Sequence, residues 1–514
     1  MNIIFYTQSN GFNLFWEFAK KLSNYKELKL NNIGFFLTNK KNFIKSNLKM
    51  NNEYNIIKEW EILEELRKKK DVIDINEINQ YENKYGNYSL WDVIISDRRA
   101  LYPNNAQFFQ NYKNRYSHVQ LIKLLIISFK KIEKQFDELK PDLILGLNFV
   151  TIYDYIYYLI AKKKNIPCLQ LKLTRIENFV TFFLDPFNIP KNIRDNYNDY
   201  LKKDHDSLSN NKLISYSQNF LKRTREKNLI YEGAISKKNK LKFKILKKIL
   251  NFNSWYIYFK YFLVNDKNYS GLYTFFLNKV IKRNINLFFT KKFLISKNKF
   301  KYDKLEKIKY ALFPLNTEPE AALLVYGKQF RNQIETIRYL ASCLPINYKL
   351  IVKEHPNSKG YRKTGYYKKL QQIPNVLIFD SNYDSEKLIK HSDLVFVIYG
   401  TIGLETIINK KPLICFSKTP YSIFPKNMVS YCENLNYLPQ EISNLLKNYK
   451  YDEKYLLAYI YSYVSAGVRV NLFTQLLKKD GRHDLNNKMN IEEQYDALCS
   501  NLIHQLEYIN KNKI

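Results

Sequence analysis

Residues 393–416 read DLVFVIYGTIGLETIINKKPLICF. Two apolar runs, 393–399 and 412–416, flank a stretch, 402–409, whose apolar residues recur at helical spacing. The first run lacks polar alternation, as in a strand buried on both faces of a sheet. Strand, helix and strand with short joints form a parallel unit whose crossover helix covers the sheet. The same grammar extends upstream. Residues 309–314 (KYALFP), 348–353 (YKLIVK) and 375–380 (NVLIFD) read as strands, and 329–341, 365–372 and 385–391 as helices. Helices follow from about residue 439.

The first third of the chain repeats the pattern. Strands are expected at 2–7, 33–37, 93–96, 141–146 and 166–171, with helices at about 12–22, 60–69, 118–139 and 150–163. Between the two halves, residues 195–308 are basic, helical in places and poor in strand pattern. The expected fold is therefore α/β: two Rossmann-like doubly wound domains facing a cleft, with a basic, mainly helical insertion and C-terminal helices. The expected division is 1–194, 195–308, 309–480 and a last helix, 481–514.

The 514 residues, at roughly 150 per domain, fit this division. Hydrophobic residues make up 45% and charged residues 25%, which excludes a disordered, collagen-like or disulfide-stapled chain. Abundant Lys, Asn, Tyr and Phe fit an AT-rich coding sequence. The charge distribution does not follow from codon usage. Residues 201–310 hold 27 Lys and Arg against 7 Asp and Glu, a difference of +20 within a chain of net charge +35. Such a surface attracts anionic lipid, nucleic acid or anionic substrates. Within it, residues 238–250 (KNKLKFKILKKIL) form a basic amphipathic pattern, read as a docked helix with a solvated lysine face, as an interfacial membrane helix or as a nucleic-acid contact. The five cysteines show no metal or redox spacing, which fits a reducing cytoplasmic setting. No signal-peptide pattern opens the chain, and no apolar run reaches the ~18 residues of a spanning helix.

Ligands of open parallel sheets bind beyond the carboxyl ends of the strands, and the distinctive polar residues fall there. Lys353 and His355 end the 348–353 strand, with Pro356 fixing the turn. Thr401, Gly403 and Glu405 follow the 393–399 strand: backbone N–H groups and the Thr401 hydroxyl suit a phosphate, and Glu405 suits ribose hydroxyls. The plain alternative is a strand–helix turn with a capping threonine. Ser385, behind Asp384, offers a hydroxyl to the same phosphate or simply starts a helix. Glu320 follows the 309–314 strand and suits a sugar or base. In the first half, Asp97, Asn148, Arg175 and Glu177 follow expected strands. Arg175 suits an anionic group, and Glu177 or Asp97 is the expected general base or nucleophile. No phosphate-loop lysine motif, HExxH, GxSxG or metal-ligand cluster occurs in the sequence.

The stretch 310–416 resembles bacterial capsule polysaccharide biosynthesis proteins, the family that includes transferases of the acidic sugar 3-deoxy-manno-octulosonic acid (Kdo). FPLNTEPEAAL, FRNQIETIRYLASCLP, KLIVKEHP, the YDS of residues 383–385 and YGTIGLETIINKKPLICF carry the resemblance. ISDRRALY and PDLILG…TRIENF are more loosely similar. The resemblance implies a GT-B glycosyltransferase with the nucleotide on the C-terminal domain. It also implies an activated donor, a CMP-linked acidic sugar, with no metal and no further cofactor. It casts His355 as the histidine meeting the donor phosphate, Ser385 and Thr401 as donor-binding hydroxyls, and Glu405 as the ribose carboxylate. Two departures stand out: Asn316 where glutamine is expected, and Tyr399 where a smaller or hydroxyl residue is expected.

The expected function is a cytoplasmic glycosyltransferase of surface polysaccharide synthesis, acting on a lipid-linked or growing glycan, with peripheral contact to anionic membrane. Rival readings on the same fold are a polyol-phosphate transferase or a nucleotide-sugar epimerase. A nucleic-acid-binding protein, motivated by the charge, lacks any specific nucleic-acid motif.

Overall fold

The computed structural model describes residues 1–8, 11–40, 43, 54–68, 74–86, 89–101, 115–203, 211–234, 281–296, 300, 302–485 and 489–512. Two sheets organise them. The first is built from β1 (Ile3–Thr7), β2 (Ile33–Leu37), β3 (Asn55–Lys58), β4 (Leu143–Gly146), β5 (Cys168–Leu173), β6 (Phe179–Phe183) and β13 (Val468–Arg469). Its order is β13-β6-β5-β4-β1-β2-β3, parallel from β3 through β5, with β6 and β13 antiparallel at one edge. The second contains β7 (Tyr310–Pro314), β8 (Lys349–Lys353), β9 (Val376–Phe379), β10 (Leu394–Val397), β11 (Leu413–Cys415) and β12 (Val429–Tyr431). Its order, β12-β11-β10-β7-β8-β9, is wholly parallel and doubly wound.

Every residue of β1 and β10 is buried, as continuous apolar runs between helix layers require. The long amphipathic pattern at 118–139 forms the His118–Leu139 helix, started by a capping box between Ser117 and Gln120. In each sheet the strand order reverses at one point, between β1 and β4 and between β7 and β10. Both switch points open onto one cleft: Gln8 and Asn148 line it from the first sheet, Asn316 and Tyr399 from the second. Two Rossmann-like domains facing a cleft are the GT-B architecture.

Three expectations change. Residues 93–96 are not a strand but part of the Trp91–Ser96 helix. Four apolar residues fit either state. Here they bury one helical face against the Ile152–Lys163 helix, and β3 (NIIK) takes the sheet edge instead.

The boundary expected at 480 lies earlier. The Glu453–Ala466 helix packs on the Lys191–Lys202 and Lys212–Lys227 helices, β13 pairs with β6, and the Ile491–Lys511 helix lies on Gly11–Ser23. The chain thus returns to the N-terminal domain after about residue 450, where 491–511 packs and where 453–466 meets 191–202 and 212–227, while Tyr459 of that helix also meets Tyr421 and Phe424 of the second domain.

The described parts of 195–308 do not form a separate insertion. Residues 212–227 join the 453–466 helix, whereas the Arg283–Thr290 helix packs on Thr364–Gln371, and Ile295 bridges to Phe379 at the edge of the second sheet. The 238–250 pattern lies outside the described residues.

Candidate functional site

The cleft holds about 1910 Å³. Among the described residues its lining carries ten Lys and Arg against five Asp and Glu, so its field favours anions.

On the C-terminal wall, β8 ends in buried Lys353 and the following His355. This strand end is fixed from beneath. Arg362, fully buried, pairs with Glu354 and lies 3.5 Å from Glu318, and it donates to the Asn316 carbonyl at 2.7 Å. Tyr367 also donates to Glu354. His355 Nδ1 accepts the Asn357 N–H at 3.2 Å and lies 3.0 Å from the Thr317 hydroxyl. A ring nitrogen that accepts a backbone N–H is unprotonated, so the neutral ring carries its proton on Nε2 and offers a donor there. Burial, then the charges of Lys353 and Arg362, lowers the His355 pKa to about 4, which keeps the ring neutral at physiological pH.

Lys353 Nζ makes no hydrogen bond among the described residues. Loss of water brings its pKa down to about 8, against the pull of Glu405 and neighbouring carboxylates. Glu405 is pushed up to about 7, first by burial and then by Glu386 and Asp384, with Lys353 opposing. A proton-retaining carboxyl beside an easily discharged lysine can both donate and accept hydrogen bonds to hydroxyls. Ser385 lines the cleft at the start of its helix, while Asp384 caps that helix by accepting Glu386 N–H at 2.9 Å. Thr401 makes no cap hydrogen bond. Its hydroxyl instead lies 3.3 Å from that of Tyr231, inside the cleft. Gly400, at φ +150° with open space beside it, serves the turn. Gly403 does not reach the cleft: a Cβ there would sit 2.3 Å from the Tyr421 ring, so this glycine serves helix packing. Glu320 opens into the cleft, its carboxyl pKa raised by burial between the walls against the fields of Arg98 and Arg482.

On the N-terminal wall, Asn148 and Arg175 line the cleft as expected, Arg175 with its guanidinium 4.9 Å from the Tyr231 ring. The two expected bases do not. Asp97 is buried and accepts Arg99 N–H at 2.7 Å and Ile152 N–H at 3.3 Å, tying a turn to a helix start. Glu177 is held by Tyr216, by Arg223 at 2.6 Å and by Arg469 at 3.4 Å, away from the cleft lining. Both carboxylates are already saturated by structural partners.

Sequence reasoning missed Lys172, Gln8, Lys479 and Arg482, which line the cleft together with Arg98 of the Asp97-Arg98-Arg99 stretch. Lys172 donates to the Pro186 carbonyl at 3.3 Å and to Tyr326 OH at 3.2 Å, and burial lowers its pKa to about 7. Its signal was visible: a lysine inside the apolar strand CLQLKL, matching Lys353 in KLIVK. Gln8, on the β1 end, donates to the Asn148 carbonyl at 3.1 Å and to buried Asp154. Tyr399, the departure noted above, stacks on Tyr326 with centroids 4.3 Å apart and planes 7° apart. Asn316 donates to the Tyr399 carbonyl at 2.8 Å, closing the switch point.

Residues 260–425 match the family model described as "Capsule polysaccharide biosynthesis protein". No curated protein matches the chain. Among solved structures, a beta Kdo 2,4 transferase, KpsC from Thermosulfurimonas dismutans, matches at 11% identity and TM-score 0.32. It covers 66% of this chain and 87% of its own. The beta Kdo 2,7 transferase of the same protein matches at 12% identity and TM-score 0.32, covering 67% and 87%. A UDP-GlcNAc 2-epimerase from Methanocaldococcus jannaschii matches at 14% identity and TM-score 0.25, covering 88% and 95%. The matched segment, about a third of the chain, spans the whole of the Lys353, His355, Ser385, Thr401 and Glu405 wall, and over that segment the chain is similar to the capsule polysaccharide biosynthesis proteins.

Proposed function

We propose that the protein is a glycosyltransferase that takes a sugar from a nucleotide donor held on the C-terminal wall and passes it to an acceptor entering from the N-terminal wall. One observation carries this reading. Lys353, His355, Ser385, Thr401 and Glu405, from the ends of three different strands, line one cleft. Lys353, His355 Nε2–H and the two hydroxyls meet the donor phosphate, and Glu405 meets ribose hydroxyls. As the glycosidic C–O bond breaks, the electron pair leaves with the phosphate, and these preorganised donors stabilise the developing charge. The acceptor oxygen forms the new bond, and its proton passes to Glu320, the cleft carboxylate that replaces Asp97 and Glu177 in this role. The donor class proposed is a CMP-linked acidic sugar such as Kdo, and the setting is the cytoplasmic face of the membrane with a lipid-linked or growing glycan.

The test is thermal stabilisation by CMP, CDP, UDP and GDP. A ligand at 100 times its Kd adds about 2.7 kcal/mol. Selective stabilisation by CMP, lost in His355→Ala and kept in Glu320→Gln, is expected, with sugar transfer lost in both variants. Stabilisation by a diphosphate instead keeps the transferase and changes the donor class. No shift with any nucleotide overturns the reading. Mass analysis of the product separates it from the rivals: an isomerised donor marks an epimerase, an added phosphodiester a polyol-phosphate transferase.

A further inference from the structure

Three basic side chains, Arg98, Lys479 and Arg482, line the same cleft and lie close enough for Lys479 to feel the charge of both guanidinium groups. The Lys479 ammonium lies 4.6 Å and the Arg482 guanidinium 5.6 Å from the centroid of one ring, Phe473. Arg98 enters the same cleft from the turn after buried Asp97.

The corner they form is rigidly built. Gly233 N–H donates to the His483 carbonyl at 3.2 Å, and His483 N–H to the Ala234 carbonyl at 2.7 Å. Arg482 Nη1 donates to the Gly233 carbonyl at 3.0 Å. Phe473 N–H and Thr474 N–H donate to the buried Glu232 carboxylate at 2.9 and 2.7 Å. The Phe473 ring lies directly on Gly233, whose φ of +80° and missing Cβ permit the contact.

The buried Glu232 carboxylate of this corner is taken up by backbone N–H groups rather than by the cations. Neither Arg98 nor Lys479 makes a side-chain hydrogen bond or ion pair among the described residues. Glu320 and Asp484 line the cleft with them. Lys479 has lost water and feels two guanidinium groups, Arg482 and Arg98, and its pKa is lowered accordingly. Like charges held together by a hydrogen-bonded frame, with no salt bridge to Arg98 or Lys479 among the described residues, are stabilised when an anion enters. The guanidinium fork also matches the two-oxygen edge of a carboxylate or phosphate.

We propose that Arg98, Lys479 and Arg482 form a second anion subsite, distinct from the donor-phosphate wall, and that it holds the carboxylate or phosphate of an anionic acceptor. The role given to the ligand rests on the transferase reading; the anion site itself does not. Carboxylate and phosphate share the chemistry, and they differ in source: an acidic sugar unit of a growing glycan, or the phosphate of a lipid-linked acceptor.

Calorimetry on the full chain, with CMP saturating the donor wall, separates the cases. The probes are inorganic phosphate, methyl glucuronide and neutral methyl glucoside. An anionic probe is expected to bind and the glucoside not. Affinity should fall at least about tenfold in Lys479→Gln/Arg482→Gln, with CMP binding unchanged. Arg98→Gln, which removes an exposed side chain without a structural partner, is expected to weaken the same probe with the thermal transition unaltered. Preference for glucuronide assigns the acidic sugar, and preference for phosphate the lipid phosphate. If CMP does not bind, the donor reading has failed, and the same titrations on His355→Ala without nucleotide still test the corner. No anion binding to wild type, or affinity unchanged in both sets of variants, overturns the proposal.

Discussion

Glu405 and Lys353 carry their proton chemistry close to neutrality, which makes the site's titration a readable property. The Glu405 carboxyl sits at about 7 in the fold, raised chiefly by burial from 4.5. Between those values the folded state binds more protons than the unfolded one, so this group makes stability fall as pH rises from about 4.5 to 7. His355 works the other way. Its folded value of about 4 lies below the ordinary 6.5, so its contribution rises with pH between 4 and 6.5. The two oppose each other in the wild type, and only a variant isolates one. Glu405→Gln is expected to gain in Tm relative to wild type as pH goes from 4.5 to 7, by the order of a few degrees, and to hold that difference above 7. A difference independent of pH would mean that Glu405 ionises normally. These residues were legible in the sequence because each follows an apolar strand that announces its own end. Asp97 and Glu177 follow similar signals and were misread, since a carboxylate already taken by Arg99 or Arg223 has the same letter as a free one.

At the scale of elements, the Ile402–Ile408 helix shows what one glycine does. The sequence YGTIGLE reads as a phosphate turn with two equivalent glycines. The structure divides their work: Gly400 stays beside the cleft, and Gly403 lets the buried Tyr421 ring lie against the helix while Tyr421 OH donates to the Gly400 carbonyl at 3.0 Å. Gly403→Ala adds helix propensity worth ~1 kcal/mol but drives a methyl into a packed ring, which costs about 1–3 kcal/mol. Denaturant unfolding is expected to show net loss of stability. Nucleotide stabilisation should weaken only through Tyr421 and Gly400, by less than in His355→Ala. A stabilised variant would show that the ring moves freely. Strands β6 and β12 were not read as strands, and β3 was missed because its two apolar residues are flanked by Asn55 and Lys58. Short strands at sheet edges carry too few letters for a period of two to stand out.

The whole molecule turns on where the chain crosses back between domains, which no local pattern in the sequence reports. Residues 439–514 read as a run of helices, and helical periodicity says that a face is buried without saying against what. In the structure nine of the fourteen residues of Glu453–Ala466 are buried, and the helix lies on 191–202 and 212–227 of the N-terminal half. Thr181 Oγ1 donates to the Ala466 carbonyl at 2.8 Å, fastening the end of that helix to β6. The C-terminal sheet, by contrast, is complete from β7 to β12, with Ile295 bridged to its β9 edge. This arrangement predicts an inverted truncation series. A fragment of residues 281–450 contains every strand of the second sheet and the helices that cover it, and is expected to unfold cooperatively on heating. A longer fragment, 281–512, adds two helices parted from 11–23, 191–202 and 212–227 while keeping the Tyr459 contact with Tyr421 and Phe424, and is expected to aggregate or to bind a hydrophobic dye. Were 453–512 part of the C-terminal domain, the longer fragment would be the more stable of the two. Size-exclusion chromatography and thermal unfolding of both fragments decide between these outcomes.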